Sequence, residues 1–274
     1  MMKEMYVDKS KCIKCGICVE SCSNGIITFG EDGFPMFAQG RQMRCIECGQ
    51  CVLFCPECAN MLSFMDKDNT VKMSELAMPT AEETLNLLMT RRSIRRFKDE
   101  PISRETFAKL FEAVRQAPSA VNSQKVRWIV SENREKTEEI TKLVIGWLKE
   151  EIEKAPRSFN ARIGKAMIAK AEKGEDGLLR GAAHAAIAVV PKDYAWYEDG
   201  AIALTYLELA AHGMGIGCCW GGFLTMAIRN YAPLREFLKI TDEEHICGAQ
   251  LMGWPQIKPV RNFAPRRELS VEWI

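Results

Sequence analysis

The sequence predicts a two-domain α+β protein, in which a small cysteine-rich module precedes a larger domain with more helices than strands. Three observations lead there. Nine of the 12 cysteines lie between Cys12 and Cys58, and a polar stretch from Asp66 to Pro79 follows them. Beyond it, the strand-like segments are few and do not alternate with helices as a βαβ sheet requires. With 274 residues, 47% apolar and 27% charged, the chain has room for two ordinary cores. Its 37 Lys and Arg balance 36 Asp and Glu, so no basic field draws nucleic acid. Met1 to Lys11 lacks the apolar run of a signal peptide. Residues 209–226 are almost free of charge, but five glycines and His212 make them a poor membrane span. The expectation is a cytoplasmic protein with no membrane or nucleic-acid partner, and in a reducing compartment dense cysteines point to metal ligation rather than disulfides.

The first domain, residues 1–65, contains a duplication. Cys12, Cys15, Cys18 and Cys22 precede Asn24-Gly-Ile-Ile-Thr-Phe29, and Cys45, Cys48, Cys51 and Cys55 precede Asn60-Met-Leu-Ser-Phe64. Residues 66–79, which include Asp66, Lys67, Asp68 and Asn69, read as a linker. The second domain, 80–274, opens with a capping box, Thr80 and Glu83, ahead of Leu85, Leu88 and Met89 at helical spacing. Ser103 can cap a second helix with Phe107, Leu110, Phe111 and Val114 on one face, ended by Ala117-Pro118-Ser119. Val126 to Val130 has strand composition, a charged helical region covers about 135–180, Ala185 to Val190 reads as a buried strand, Ala201 to His212 as a buried helix, and Cys247 to Met252 as another core strand.

A cubane cluster needs a thiolate at each of four iron corners, and one CxxCxxC loop can supply three. Both halves of the first domain have that loop, with a fourth cysteine three residues on, and Pro56 follows the second of these. Zinc ribbons, the competing explanation, use paired CxxC units instead of triplets. The segment resembles bacterial-type two-cluster ferredoxins, with Ser23 where that family usually has proline. The resemblance implies two 4Fe-4S clusters with crossed ligands: Cys12, Cys15, Cys18 and Cys55 for one, Cys45, Cys48, Cys51 and Cys22 for the other. Cys58 has no place in the pattern and reads as a free thiol.

Three segments of the second domain carry a different chemistry. They are Arg91-Arg-Ser-Ile-Arg-Arg-Phe97, Ala117-Pro-Ser-Ala-Val-Asn-Ser-Gln124, and Gly213-Met-Gly-Ile-Gly-Cys-Cys-Trp-Gly-Gly222. Taken singly, the arginines could simply complement a helix C-terminus, and the glycines could form a cap and turn. In this order and spacing the three resemble the FMN-dependent nitroreductase family over most of residues 80–274. The resemblance implies that Arg91 and a tail arginine, Arg261 or Arg266, hold the FMN phosphate with Ser93 beside them. Arg95 falls where the family has a cation at the flavin edge that turns negative on reduction. Pro118, Ser119, Ala120 and Asn122 would reach the partner subunit's flavin, so the expected assembly is a homodimer with FMN at its interface. Gly221 and Gly222 would let backbone approach the ring.

No GxGxxG fingerprint follows a strand. His184, His212 and His245 have no metal-ligand spacing, and Cys218 and Cys219 read as core. No general acid is identifiable. The expected function is an oxidoreductase that passes electrons from a one-electron donor such as reduced ferredoxin, or from NAD(P)H, by way of the clusters and FMN to a small electron-poor acceptor. The alternatives are an electron-transfer subunit without its own substrate, and a reductive dehalogenase or dehydrogenase on the same fold. A linker of about 14 residues spans roughly 20 Å, which would keep the clusters near the flavin domain.

Overall fold

In the computed structural model, which describes residues 3–66, 70–261 and 265–274, the chain divides into two units. One is Met1–Met78 with Val121–Ser123, the other Pro79–Ala120 with Gln124–Ile274. Lys67, Asp68 and Asn69 of the expected linker lie outside the described residues.

The first unit realises the duplication as two copies of one local design. Its elements are β1 (Met5–Val7), α1 (Ile17–Glu20), β2 (Ile27–Phe29), β3 (Pro35–Phe37), α2 (Gln50–Leu53) and β4 (Asn60–Leu62). The outer strands β1 and β4 pair antiparallel, as do β2 and β3. Each cysteine loop turns into its one-turn helix through a glycine with positive φ, Gly16 at 82° and Gly49 at 72°. A side chain at either position would be strained by that backbone. Two residues earlier, Lys14 and Glu47 also sit in the left-handed region, at 55° and 57°.

The second unit is built on a four-stranded antiparallel sheet in the order β5 (Arg127–Val130), β6 (His184–Pro191), β8 (Glu244–Gly253), β7 (Gly217–Trp220). Its helices are α3 (Ala81–Thr90), α4 (Arg104–Val114), α5 (Arg134–Lys154), α6 (Phe159–Ala171), α7 (Glu198–Gly213), α8 (Gly222–Asn230) and α9 (Ala232–Phe237). Strand alternation divides β6 between two layers. Ala185, Ile187 and Val189 pack with Trp147 and Leu148 of α5 and Leu224 of α8, while Ala186 and Ala188 pack with Leu110 of α4 and Leu204 and Leu207 of α7. A strand covered on both faces needs no polar residue, which is why Ala185 to Val190 is a continuous apolar run.

The charged region expected over 135–180 is two helices, broken where Ala155 precedes Pro156. Proline restricts the residue before it to extended backbone, and Ala155 adopts φ −144° and ψ 70°. The capping box at Thr80 forms as read, Glu83 N donating to Thr80 Oγ1 at 3.2 Å and Thr80 N to Glu83 Oε2 at 2.8 Å. Yet α3 buries none of its residues, and Leu85, Leu88 and Met89 are exposed. Among the described residues no helix is long and apolar enough to cross a membrane.

Candidate functional sites

The eight motif cysteines surround two small cavities. Cys12, Cys15, Cys18 and Cys55 line one, with Phe29 and Asn60. Cys22, Cys45, Cys48 and Cys51 line the other, with Ile27 and Leu62. Each set joins three cysteines of one repeat to the fourth of the other, the crossed arrangement. The third cysteine of each triplet, Cys18 or Cys51, sits on a one-turn helix and is buried. Burial, then the thiols around it, pushes Cys51 up to about 12, and burial also raises Cys18. A cluster's own positive charge would reverse that preference and hold the thiolates. Ala59 N donates to Cys55 Sγ at 3.2 Å, a contact that stabilises a thiolate. Among the described residues no three His, Cys, Asp or Glu side chains converge on a point for a single ion. Four thiols around a space suit a polynuclear cluster better than zinc.

In the second unit a cavity of about 380 Å³ is lined by Arg91, Arg92, Glu208, His212, Lys258 and Arg261, with Thr90, Ile94 and Cys218 among its other walls. That is within the size range of cofactor sites. Arg91 Nη1 donates to Glu208 Oε1 at 2.7 Å, and both side chains are largely buried. The fully buried Gln250 donates to the other Glu208 oxygen at 3.4 Å, and its own Oε1 has no partner. Thr90 Oγ1 lies 3.0 Å from His212 Nε2, and burial followed by the Arg91 charge lowers the pKa of that histidine. Four cations face one carboxylate here, the balance a phosphate dianion requires. Arg261 is in this wall. Arg266 is exposed and donates to the carbonyl of its neighbour Pro265.

Arg95 is not brought to the same cavity. It opens with Arg96, Arg134, Lys170 and Arg180 onto a second, polar depression of about 620 Å³. Ser93 lies between the two, bridged to Cys218 of β7, with Ile94 N donating to the Cys218 carbonyl at 2.8 Å. The arginine segment therefore touches β7 through a single isolated bridge at Ser93.

Pro118 and Ser119 line a third depression with Phe111, Trp128 and Asp199. The loop holding them is strained: Val121, Asn122 and Gln124 have φ of 47°, 54° and 49°. Such angles in a β-branched residue persist only where surroundings enforce them. Asp199, buried at the start of α7, accepts from Ala120 N at 3.1 and 3.2 Å and from the Tyr194 hydroxyl. Ser119 Oγ accepts from Gln124 N at 3.0 Å. Gly221 and Gly222 begin α8, and a Cβ added at Gly222 would meet nothing within 4 Å, so that position borders open space. A Cβ at Gly221 would press on Leu251 at 3.3 Å.

Glu208 and Asp199 were not legible as site residues. Both sit on α7, where an acidic residue reads as solvated face or first-turn charge. His184 is buried, accepting from Ile102 N at 2.9 Å through Nε2, so Nδ1 donates to the Ser131 carbonyl at 2.9 Å. His245 lies against Tyr197. Cys218 and Cys219 are buried free thiols, and burial holds the Cys218 thiol far above its usual range.

Comparison with known proteins matches residues 88–254 to the nitroreductase family and residues 11–60 to the 4Fe-4S dicluster domain. An FMN reductase [NAD(P)H] of Bacillus subtilis is 33% identical over 148 residues, 49% of this chain and 52% of that protein. A nitroreductase with bound FMN from Desulfitobacterium hafniense DCB-2 superposes with a TM-score of 0.56 at 23% identity, covering 71% of this chain and 100% of that one. An FMN-dependent nitroreductase from Clostridium difficile R20291 gives 0.54 at 20% identity, covering 70% and 100%. At these identities the two structures establish the fold.

Proposed function

The chain belongs to the nitroreductase family and carries a 4Fe-4S dicluster domain ahead of it, and on that premise we propose that it is an iron–sulfur flavoprotein oxidoreductase. It takes single electrons at two 4Fe-4S clusters and delivers them in pairs, by way of FMN, to a small electron-poor acceptor. The observation that carries this reading is the coexistence in one chain of two thiol quartets with an arginine-lined cavity of cofactor size.

The residues fit both groups. Cys12, Cys15, Cys18 and Cys55 hold one cluster, and Cys22, Cys45, Cys48 and Cys51 the other. Arg91 and Arg261 hold the FMN phosphate, with Glu208 fixing the Arg91 guanidinium through an ion pair at 2.7 Å. When bound, FMN supplies two-electron hydride exchange and the clusters supply one-electron transfer. Arg95, which makes no side-chain hydrogen bond or ion pair among the described residues, would provide the cation for the edge where negative charge develops. Backbone at Gly221 and Gly222 would be free to approach the ring, Gly222 bordering open space.

The assembly is a homodimer that completes each flavin site with Pro118, Ser119, Ala120 and Asn122 of the partner. The exposed apolar face of α3, Leu85, Leu88 and Met89, supports an interface, because a monomer gains nothing by leaving it in water. Asp199 anchors the strained loop by accepting from Ala120 N. The name of the Bacillus subtilis relative, FMN reductase [NAD(P)H], supports NAD(P)H as a second donor besides reduced ferredoxin.

Anaerobic purification followed by iron, sulfide and flavin assays tests the proposal. It expects about eight irons, about eight sulfides and one FMN per chain. Zinc in place of iron, or a protein that does not retain FMN, would contradict it.

A further inference from the structure

The 620 Å³ depression beside Arg95 has an excess of cations, Arg95, Arg96, Arg134, Lys170 and Arg180 against Glu138, Glu175 and Asp176. Arg95, Arg96, Lys170 and Arg180 form no hydrogen bond or ion pair through their side chains among the described residues. Of the acidic residues in its walls, Asp176 is fully engaged. Its carboxylate accepts from Leu178 N at 2.9 Å, Leu179 N at 2.8 Å and Gly181 N at 3.0 Å. Those bonds hold the Asp176 charge in place without cancelling it, and Glu138 and Glu175 are the other carboxylates in the walls. Arg134, the fifth cation, is tied to Asp99 at 2.7 Å and to the Gly181 carbonyl at 3.1 Å.

Those last contacts make a scaffold. Asp176 and Arg134 grip the turn at 176–181 from both sides, and the residue presented between them, Arg180, has φ 63°. A non-glycine residue in the left-handed region costs free energy, and the turn continues through Gly181 at 66°, where glycine carries no such cost. Arg180 is exposed, as are Arg95, Arg96 and Lys170, but the pinned turn fixes the backbone that presents its guanidinium to the depression. Converging guanidinium groups match the geometry of carboxylate and phosphate oxygens.

We infer that the acceptor reduced by this protein carries an anionic group, in the simplest case a carboxylate, bound in this depression by Arg180 with Arg96 and Lys170. The inference rests on the flavin reading through Arg95, which lines the same space: a molecule anchored by its carboxylate here has its electron-poor part beside the cation assigned to the flavin edge.

Equilibrium dialysis of the full-length, FMN-loaded, oxidised protein with 4-nitrobenzoate and its neutral isostere 4-nitrobenzamide tests it without turnover. The carboxylate should bind about tenfold more tightly than the amide, as one charge-assisted contact supplies. Arg180→Gln should remove most of that preference, and Arg180→Lys should restore part of it. Arg180→Gly should remove it too, and because glycine suits φ 63° this variant separates the lost charge from misfolding. Equal affinity for the two compounds, or a preference unchanged in Arg180→Gly, overturns the inference. Protein that holds no FMN contradicts the functional reading instead, whereas FMN-loaded protein without the preference leaves that reading intact.

Discussion

The first unit buries Cys18, Ile26, Ile27, Cys51, Val52 and Leu62 as its core, and two of those six are motif cysteines. The second buries a sheet between two helical layers, with Trp147, Leu148, Leu179, Leu204, Leu207, Leu224 and Ile228 nearly or wholly inaccessible. One unit is organised around its ligand atoms, the other around apolar side chains. Strands of three residues and helices of one turn are marginal unaided, and on the proposed reading iron in the first unit would do the structural work that packing does in the second. In the second unit the site is an addition to a finished fold, and its unusual features are local: a largely buried ion pair at Arg91 and a pinned turn at Arg180.

The largest effect that could break this contrast is removal of iron. A chelator under reducing conditions should unfold the first unit and leave the cooperative thermal transition of the second, seen as two separate events by calorimetry. A first unit that stays folded without iron would mean that its few apolar residues suffice. Next in size, Cys55→Ser should lower the iron content from about eight to about four per chain while the site of Cys22, Cys45, Cys48 and Cys51 keeps its spectroscopic signal. Loss of that signal alone would refute the crossed ligand sets.

Substitutions in the second unit should act on binding and potential, with the fold kept. Arg261→Ala should weaken FMN binding by roughly ten- to a hundredfold, the 1.5–3 kcal/mol of a hydrogen bond to a charged group, and Arg266→Ala should change it little. Fluorescence titration distinguishes them. The smallest effect is Arg95→Ala, which should lower the two-electron potential of bound flavin by roughly 20 mV, about 1 kcal/mol. Potentiometric titration should find less for Arg92→Ala and Arg96→Ala, and equal shifts for all three would make the field diffuse.

What could be read from the sequence follows the same division. Ligand chemistry in the first unit is local, so CxxCxxC spacing exposed it, although the left-handed backbone at Lys14 and Glu47 carried no signal in residue type. In the second unit, Thr80, Ser103 and the apolar run from Ala185 to Val190 marked elements because caps and buried strands depend on near neighbours. The partners of the site residues were hidden. Glu208 meets Arg91 across 117 positions and Asp199 meets Ala120 across 79, and only the packing of α7 brings them together. Helical spacing in α3 was a sound guide to helix but not to burial, since Leu85, Leu88 and Met89 face outward in the single chain. Pro156 was a legible break within the charged helical region.

The central claim is that the clusters are the entry route for single electrons to the flavin. Stopped-flow reduction of bound FMN by a reduced ferredoxin, comparing the full chain with a protein beginning at Thr80, addresses it directly. The shorter protein retains α3 with its cap and all three flavin segments, and should bind FMN and accept hydride from NAD(P)H at the rate of the full chain. The account predicts rapid flavin reduction by the one-electron donor in the full chain and its loss in the shorter one. Equal rates in the two proteins would contradict it.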